Sequence, residues 1–176
     1  GRVRRGVEAA KADLGAQEAA ERATALSLVS DVASGYLQLL ELDQEQAIAE
    51  RTLSSRKQTL DVARQRYTQG LTSELDVKQF EAQVAAPAVT LARAERARAE
   101  VEHNLTVLLG GGPSRIPRGT SLSDAVAALV VPDSISATLL TRRPDIVQAE
   151  REYAAAVARV GIADAARWPT FNIIGS

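Results

Sequence analysis

Few residues of this chain are of the types that carry out chemistry, and those few are not arranged for it. His103 is the only histidine; it lies beside acidic residues on a charged helix face, and neither a second metal ligand nor a nucleophile stands at a suitable spacing. The glycine run at 110–112 lacks the lysine and the Ser/Thr of a phosphate-binding loop, and it ends a helix where such loops begin one. Cysteine is absent, which excludes disulfides and thiolate metal sites. We therefore expect no enzyme, no metal and no cofactor, and interpret His103 as a solvated residue.

The most distinctive residues lie instead in a short segment, residues 69–73, that interrupts a long helical pattern. Gly70 can adopt the left-handed conformation that ends a helix, and Ser73 can cap the next helix by accepting a hydrogen bond from the amide of Asp76. Glu74 and Asp76 then lie in the first turn, where negative charge suits the helix dipole. The segment is predicted to be the tip of a helical hairpin.

The tip offers two kinds of interaction. Leu71, exposed between the small residues Gly70 and Thr72, is suited to anchor another protein; the alternative is that Gly70 only permits the turn. Asp76 either bonds across to a neighbouring helix as part of a releasable contact, or only caps its own helix. The residues alone leave both choices open.

Two long helices must position this tip. Residues 2–69 contain no proline and carry apolar residues at steps of three and four, which predicts one helix on the order of 100 Å long. Gly6, Gly15 and Gly35 are interpreted as points of close helix contact, since each costs about 1 kcal/mol relative to alanine in a helix interior. The predicted seam comprises Leu26, Val29, Ala33, Tyr36 and Leu40, followed by Ala49, Leu53, Arg56, Leu60, Ala63 and Tyr67.

The second helix is predicted from Ser73 to about Leu109. Pro87 removes one of its backbone hydrogen bonds, so a bend is expected there. At ~55 Å this helix covers only the lower half of the first, and residues 2–109 form a long antiparallel hairpin of the coiled-coil type. Its seam comprises Val77, Phe80, Val84, Pro87, Leu91, Ala94, Arg98, Val101, Leu105 and Leu108.

The remainder predicts a connector, a third helix and the beginning of a strand. Residues 110–138 are rich in Pro, Gly and Ser, with one apolar run at 125–131 that suits a small helix or strand. Residues 139–168 predict a helix with Pro144 in its first turn, and residues 170–176 alternate like the start of a β-strand. The apolar face of the third helix comprises Ile146, Tyr153, Val157 and Val160. The predicted fold class is all-α, a hairpin plus a third helix, with an incipient C-terminal strand.

Composition narrows the function classes. Of the 176 residues 45% are hydrophobic but only 3% are aromatic, which suits long, closely packed helices. The 21 basic and 22 acidic residues nearly cancel, so no general attraction to nucleic acid is expected. Charges alternate in sign along the helices as on a solvated coiled-coil face, so pairs such as Glu95 and Arg98 need no function. No run approaches the ~20 apolar residues of a membrane helix, and we interpret the chain, which does not begin with methionine, as a fragment.

Four segments resemble one known family. The chain is similar, over essentially its whole length, to the outer-membrane factors of Gram-negative tripartite efflux pumps and type I secretion systems, the TolC and OprM type, especially the lipoprotein branch often labelled NodT. Residues 1–5 resemble the end of the strand that enters the first long helix, and residues 67–77 resemble the periplasmic tip. Residues 140–150 resemble the most recognisable motif of the family, and residues 162–169 the approach to the next barrel strand. The chain matches about the middle third of a family member.

The resemblance implies a homotrimer whose chains jointly form a β-barrel in the outer membrane and an α-helical tunnel across the periplasm. Such a protein is a passive exit for drugs or other substrates, and its partners are a periplasmic adaptor and, indirectly, an inner-membrane pump of the RND or ABC type. Residues 2–109 would form the tunnel hairpin, residues 110–138 the equatorial connector, and residues 139–168 a helix rising toward the barrel. The exported substrate, the pump and any lipid anchor are left open.

The resemblance also implies two roles at the tip. Gly70, Leu71 and Thr72 would form the docking surface for the adaptor, and Asp76 would belong to a gate at the periplasmic entrance. Two departures from the family pattern are Pro87, within an otherwise uninterrupted helix, and Trp168, where phenylalanine is more frequent.

Two other functions are weighed against this one. A periplasmic adaptor also has a long α-hairpin, but lipoyl-like β halves flank it, and nothing of that kind flanks residues 2–109. A structural coiled coil without a transport role would explain the seams, but neither the Arg-Arg-Pro-Asp motif at 142–145 nor the incipient strand.

Overall fold

The structure, a computed structural model, describes residues 1–129, 134 and 137–169. Its helices are α1 (Arg2–Thr68), α2 (Glu74–Leu108), α3 (Leu122–Ala127), α4 (Thr138–Arg142) and α5 (Pro144–Ala165). The described residues contain no strand, and the predicted strand at 170–176 lies outside them. The all-α fold class is thus confirmed. Within these described ranges, every helix is too short or too polar to cross a membrane.

The chain divides into two compact units, and α1 contributes residues to both of them. The hairpin unit is residues 30–130, and the terminal unit combines residues 1–29 with residues 131–176. Contacts between α1 and α2 hold the hairpin unit, and contacts between α1 and α5 hold the terminal unit.

In the hairpin unit, α1 and α2 pair in antiparallel directions. Arg64 donates to Glu81 at 3.0 Å near the tip, and Arg98 donates to Gln46 at 3.1 Å further along. A lower residue number on α1 therefore pairs with a higher one on α2, which confirms the predicted hairpin.

The predicted seam of α2 is confirmed almost throughout. All its positions except Leu108 are buried or half-buried, and Val77, Ala94 and Leu105 are the most deeply buried of them. Helix α2 continues across Pro87, which lies inside it. The bend expected at Pro87 stays a prediction.

The predicted seam of α1 is correct only in part. Leu40, Ala49, Leu60 and Ala63 are buried, but five other predicted members, Leu26, Val29, Ala33, Arg56 and Tyr67, are exposed. The reason at the upper end is the length of α2, which ends at Leu108 and so cannot cover residues 26–33. At the tip, Tyr67 lies in the last turn of α1 and is 46% exposed.

The glycines of α1 differ in what surrounds them. A Cβ at Gly35 would lie 2.9 Å from Leu105 Cδ2, so this glycine lets Leu105 rest against the backbone of α1. A Cβ at Gly15 would lie 3.4 Å from the side chain of Arg151, whereas a Cβ at Gly6 would meet nothing within 4 Å. The interpretation as a close helix contact is therefore right for Gly35 and wrong for Gly6.

This difference predicts opposite effects of the same substitution. Gly6→Ala should stabilise the fold, because alanine is favoured by about 1 kcal/mol in a helix interior. Gly35→Ala has the same helical advantage, but it should destabilise the fold, because overpacking against Leu105 costs roughly 1–3 kcal/mol. Thermal unfolding followed by circular dichroism compares the two variants. An equal rise in melting temperature for both would show that Leu105 moves aside freely.

In the terminal unit, the start of α1 packs against α5 in antiparallel directions. A Cβ at Gly1 would lie 3.5 Å from Ala165 Cβ, and Arg159 donates to both carboxylate oxygens of Asp13 at 2.8 Å. Among the described residues of this unit, those that are buried are all alanines, namely Ala9, Ala16, Ala19, Ala155 and Ala158. Alanine on both helices permits close approach of their backbones.

Of the four residues on the predicted apolar face of the third helix, only Ile146 is half-buried, and the other three are exposed. Tyr153, Val157 and Val160 are 73%, 50% and 63% exposed, while Ala155 and Ala158 face the interior. Alanine counts little in a hydrophobic pattern, but its small side chain lets two helices pack closely, so the alanine face is the buried one. The unit buries its small residues and leaves a row of large ones uncovered.

The predicted helix at 139–168 is divided in two by Arg143. Arg143 is extended, with φ −66° and ψ 125°, and separates α4 from α5. The following residue, Pro144, disfavours the α conformation at the position before it and takes the first turn of α5. Residues 125–127 of the predicted apolar run belong to the short helix α3, which Ser121 caps through the amide of Asp124, and residues 130–131 lie outside the described residues.

Candidate docking and gating site

Helix α1 ends at the tip in a turn that only glycine adopts easily. Gly70 has φ +72°, and its N–H donates to the carbonyl of Tyr67 at 2.9 Å. The N–H of Leu71 donates to the carbonyl of Arg66 at 2.8 Å. These two bonds form the Schellman motif, in which a left-handed glycine satisfies the last carbonyls of a helix. The predicted role of Gly70 in ending the helix is confirmed.

Helix α2 begins with a capping box formed by Ser73 and Asp76. The amide of Asp76 donates to Ser73 Oγ at 3.2 Å, and the amide of Ser73 donates to Asp76 Oδ2 at 3.1 Å. Each residue thus satisfies a backbone N–H that has no partner inside the helix. The predicted cap is confirmed.

The carboxylate of Asp76 also binds the loop that precedes it. Its Oδ2 accepts from the hydroxyls of Thr72 and Ser73, each at 2.7 Å. The hydrogen bond from Thr72, and after it those from Ser73, hold the pKa of Asp76 below its usual value. Within the described residues Oδ1 accepts no hydrogen bond. The carboxylate is therefore ionised, tied to the tip by one oxygen and free to bind elsewhere with the other.

The apolar surface of the tip is exposed. Leu71 is 71% exposed and Leu75 is 66% exposed, whereas Thr72 is half-buried. A Cβ at Gly70 would meet nothing within 4 Å, so another backbone can approach there. The structure thus brings together the residues named from the sequence, Gly70, Leu71, Thr72 and Asp76. Leu75 is exposed beside them, but it belongs to the first turn of α2 and not to the turn itself.

A second polar cluster, at the other end of the hairpin unit, was not foreseen. Arg118 of the connector donates to both oxygens of the α1 residue Asp43, at 2.7 and 3.2 Å. It donates to Oε1 of the α2 residue Glu102 at 2.6 Å, and the amide of Ile116 donates to the same oxygen at 2.9 Å. We call Asp43, Glu102 and Arg118 the connector clamp.

The buried carboxylate of the connector clamp, Glu102, is electrostatically matched by a partly exposed arginine. Glu102 is only 7% exposed. Burial alone would raise the pKa of Glu102, but the hydrogen bonds from Arg118 and from the amide of Ile116 outweigh it and hold the pKa below the usual value. The pKa of Arg118 is raised, mainly by its hydrogen bonds to Asp43, against the opposing effect of burial. Glu102 and Arg118 are therefore both charged at neutral pH.

The described residues contain no cluster of side chains suited to hold a metal ion. His103 is exposed, and no group of three or more acidic, histidine or cysteine side chains is placed to hold an ion within those residues. The arrangement at the tip can bind another protein through an apolar anchor and a charged neighbour.

Comparisons with known proteins give a consistent result. Residues 1–111 match the family described as outer membrane efflux protein. The chain is 32% identical to Nodulation protein T of Rhizobium leguminosarum bv. viciae over 178 residues, which cover 100% of this chain and 37% of that protein. It is 34% identical to the toluene efflux pump outer membrane protein TtgC of Pseudomonas putida over 175 residues, covering 98% of this chain and 36% of that protein.

A solved structure gives the same result for the fold. The crystal structure of CusC matches with a TM-score of 0.83 and 30% identity, over 94% of this chain and 39% of that chain. The chain therefore spans well under half the length of the relatives that it matches.

Proposed function

This chain belongs to the family of outer membrane efflux proteins, and we propose that the protein containing it is the outer-membrane channel of a tripartite efflux or type I secretion system. In this role the protein is a passive export conduit for drugs or other substrates, located in the Gram-negative outer membrane with this segment in the periplasm. The observation that carries the proposal is the family match over residues 1–111, which covers the whole hairpin and its tip.

The segments then have separate tasks. We assign the hairpin of α1 and α2 to the wall of the periplasmic tunnel, residues 110–138 to the equatorial connector, and residues 139–168 to the rise toward the barrel. The antiparallel pairing of α1 with α2 supports the first assignment, because a wall of a tunnel needs long helices side by side.

Assembly into a homotrimer would explain the uncovered apolar row of α5. Tyr153, Val157 and Val160 together with Val3 and Val7 of α1 are large apolar residues that are at least half exposed in the terminal unit. The surface of a monomeric soluble protein rarely exposes so many apolar side chains to water. Neighbouring protomers of the trimer would cover them.

A substitution on this row tests the assembly. Val157→Asp in the full-length protein should reduce the trimer fraction several-fold, because a carboxylate would be buried against an apolar neighbour without a partner. Ala163→Asp, at an exposed position on the flank of the same helix, is the matched control and should assemble normally. Blue native electrophoresis and light scattering in detergent measure the trimer. Normal assembly of Val157→Asp would remove this row from the interface.

The tip would provide the contacts with the rest of the pump. We propose that Gly70, Leu71 and Thr72 dock the hairpin tips of a periplasmic adaptor, which links the channel to an inner-membrane pump of the RND or ABC type. We propose that Asp76 belongs to the gate at the tunnel entrance. The exposed Leu71 and the free Oδ1 of Asp76 support these two roles.

Conduction through the full-length protein is the direct test. Purified trimers in a planar lipid bilayer should give discrete steps of ion conductance, because an open or partly open tunnel passes ions whatever its natural substrate. Neither an adaptor nor a structural coiled coil should do so. Complete absence of conductance from correctly assembled trimers would overturn the proposed function.

A further inference from the structure

We propose that Arg118 is a latch that holds residues 112–120, here called the strap, closed across the two helices of the hairpin. The proposal concerns a conformational device within the hairpin unit and does not depend on the exported substrate. It rests on contacts that join three separate segments of the chain through one side chain.

The first support is the way in which Arg118 divides its donors. Its Nε and Nη2 bind Asp43 on α1, and its Nη1 binds Glu102 on α2. A planar guanidinium with five fixed donors can bridge two carboxylates in this way, whereas a lysine ammonium cannot reproduce the geometry. One side chain of the strap therefore links the two helices at this level.

The second support is that the strap has further attachments at the same place. The amide of Ile116 donates to Glu102 Oε1 at 2.9 Å, and the amide of Gly119 donates to the hydroxyl of Tyr36 at 3.0 Å. The strap has no regular secondary structure, so its backbone groups depend on such bonds. Two of its amides are thus protected by partners that belong to α1 and α2.

The third support is the cost of leaving Glu102 without Arg118. Every buried side-chain nitrogen or oxygen in the described residues has a hydrogen-bond partner. Without Arg118, the buried charge of Glu102 would keep only the amide of Ile116 as a direct donor, because Arg98 donates to Gln46 and lies 3.7 Å from Asp43. A buried charge that loses its partner is strongly unfavourable, so Glu102 would turn toward water and release the strap.

Because water can reach the clamp, the strap can be released without unfolding the rest of the hairpin unit. The clamp residues, with Arg98, Arg115 and Pro117, line a groove of about 530 Å³ on the surface of the hairpin unit. Opening of the strap would widen this groove without disturbing the apolar seam between α1 and α2. The latch should therefore open separately from global unfolding.

Hydrogen exchange at two named amides tests the latch. In the full-length protein, Arg118→Met should speed exchange at Ile116 and Gly119 roughly tenfold or more, while the amide of Leu71 at the tip keeps its rate. Arg64→Met is the matched control, because it removes an arginine from an exposed pair with Glu81 on the same two helices and should leave the strap amides unchanged.

A second variant covers the case in which Arg118→Met fails to fold. Asp43→Asn weakens one side of the bridge and keeps Arg118 on Glu102, so it should speed exchange at Gly119 and Ile116 by a smaller factor. Unchanged exchange at both amides in both variants would overturn the latch. An equal rise at the strap and at the tip would also overturn it, since Arg118 would then be part of the global core. Because the readout is exchange, failure of the latch and absence of channel conductance are separate results.

Discussion

Full-length protein carrying Leu71→Asp should reach the outer membrane as a trimer and yet fail to support efflux. Leu71 is 71% exposed at the tip, and the backbone around it is held in place by the turn at Gly70. A rigid, exposed apolar side chain is the kind of residue that carries most of the binding energy of an interface. A carboxylate in its place would have to be buried without a partner when the adaptor docks, which costs several kcal/mol.

The control for this variant lies on the same tip. Leu75→Asp introduces the same charge at a residue that is 66% exposed but lies in the first turn of α2, where negative charge suits the helix dipole. We expect little loss of efflux from Leu75→Asp. The assay measures drug resistance and dye accumulation in a strain without its own channel, with the adaptor and pump supplied and trimers quantified in membranes.

The two variants separate docking from turn formation. Wild-type resistance in Leu71→Asp would contradict the docking surface and would leave Gly70 as a residue that only permits the turn. Loss of efflux in both variants, with normal trimers, would extend the docking surface to Leu75.

The tip and the hairpin were predictable because local chemistry determines them. Gly70 ends a helix through its own backbone conformation, and Ser73 caps one through a residue three positions away. Both interactions join residues that are only a few positions apart, so the residue types along the chain are enough to predict them. The seam of α2 was predictable for a related reason, since all its positions except Leu108 are buried or half-buried.

The connector clamp was not predictable in the same way. Asp43 and Arg118 are 75 positions apart, and Glu102 lies among charges that alternate in sign as on a solvated face. The spacing of charged residues along a helix cannot distinguish a side chain that faces water from one that binds the strap. The only local signal is that Glu102 follows the seam residue Val101 directly.

The apolar row of α5 shows a different limit of pattern reading. Hydrophobic periodicity locates a face that avoids water, but not whether that face meets the same chain or another one. In the terminal unit the alanines Ala155 and Ala158 are buried, and Tyr153, Val157 and Val160 are exposed.

Asp76→Asn should raise the ion conductance of full-length trimers in a planar bilayer while leaving their melting temperature nearly unchanged. Asparagine keeps an oxygen that can accept from the amide of Ser73, so most of the cap survives. It loses the charge that strengthens a hydrogen bond to a donor on a neighbouring helix. Because Oδ2 of Asp76 is occupied by Thr72 and Ser73, we assign the gating contact to Oδ1.

Ser73→Ala separates this gate from the cap. It removes the hydroxyl that caps α2, which should cost about 1 kcal/mol of stability, and it leaves the charge of Asp76 in place. We therefore expect Ser73→Ala to lower the melting temperature without a change in conductance, the reverse of Asp76→Asn.

Acidification supplies an independent test of the same contact. Hydrogen bonds from Thr72 and Ser73 lower the pKa of Asp76 in the folded protein, so its stabilising effect is complete above the ordinary aspartate pKa of about 3.9 and is lost as the pH falls through the lower folded value. If Asp76 holds the gate closed, the conductance of the wild-type channel should therefore stay constant from neutral pH to about pH 5 and rise only in stronger acid. If Asp76→Asn and the wild type conduct equally at neutral pH, Asp76 is a capping residue and the gate must be closed by other side chains.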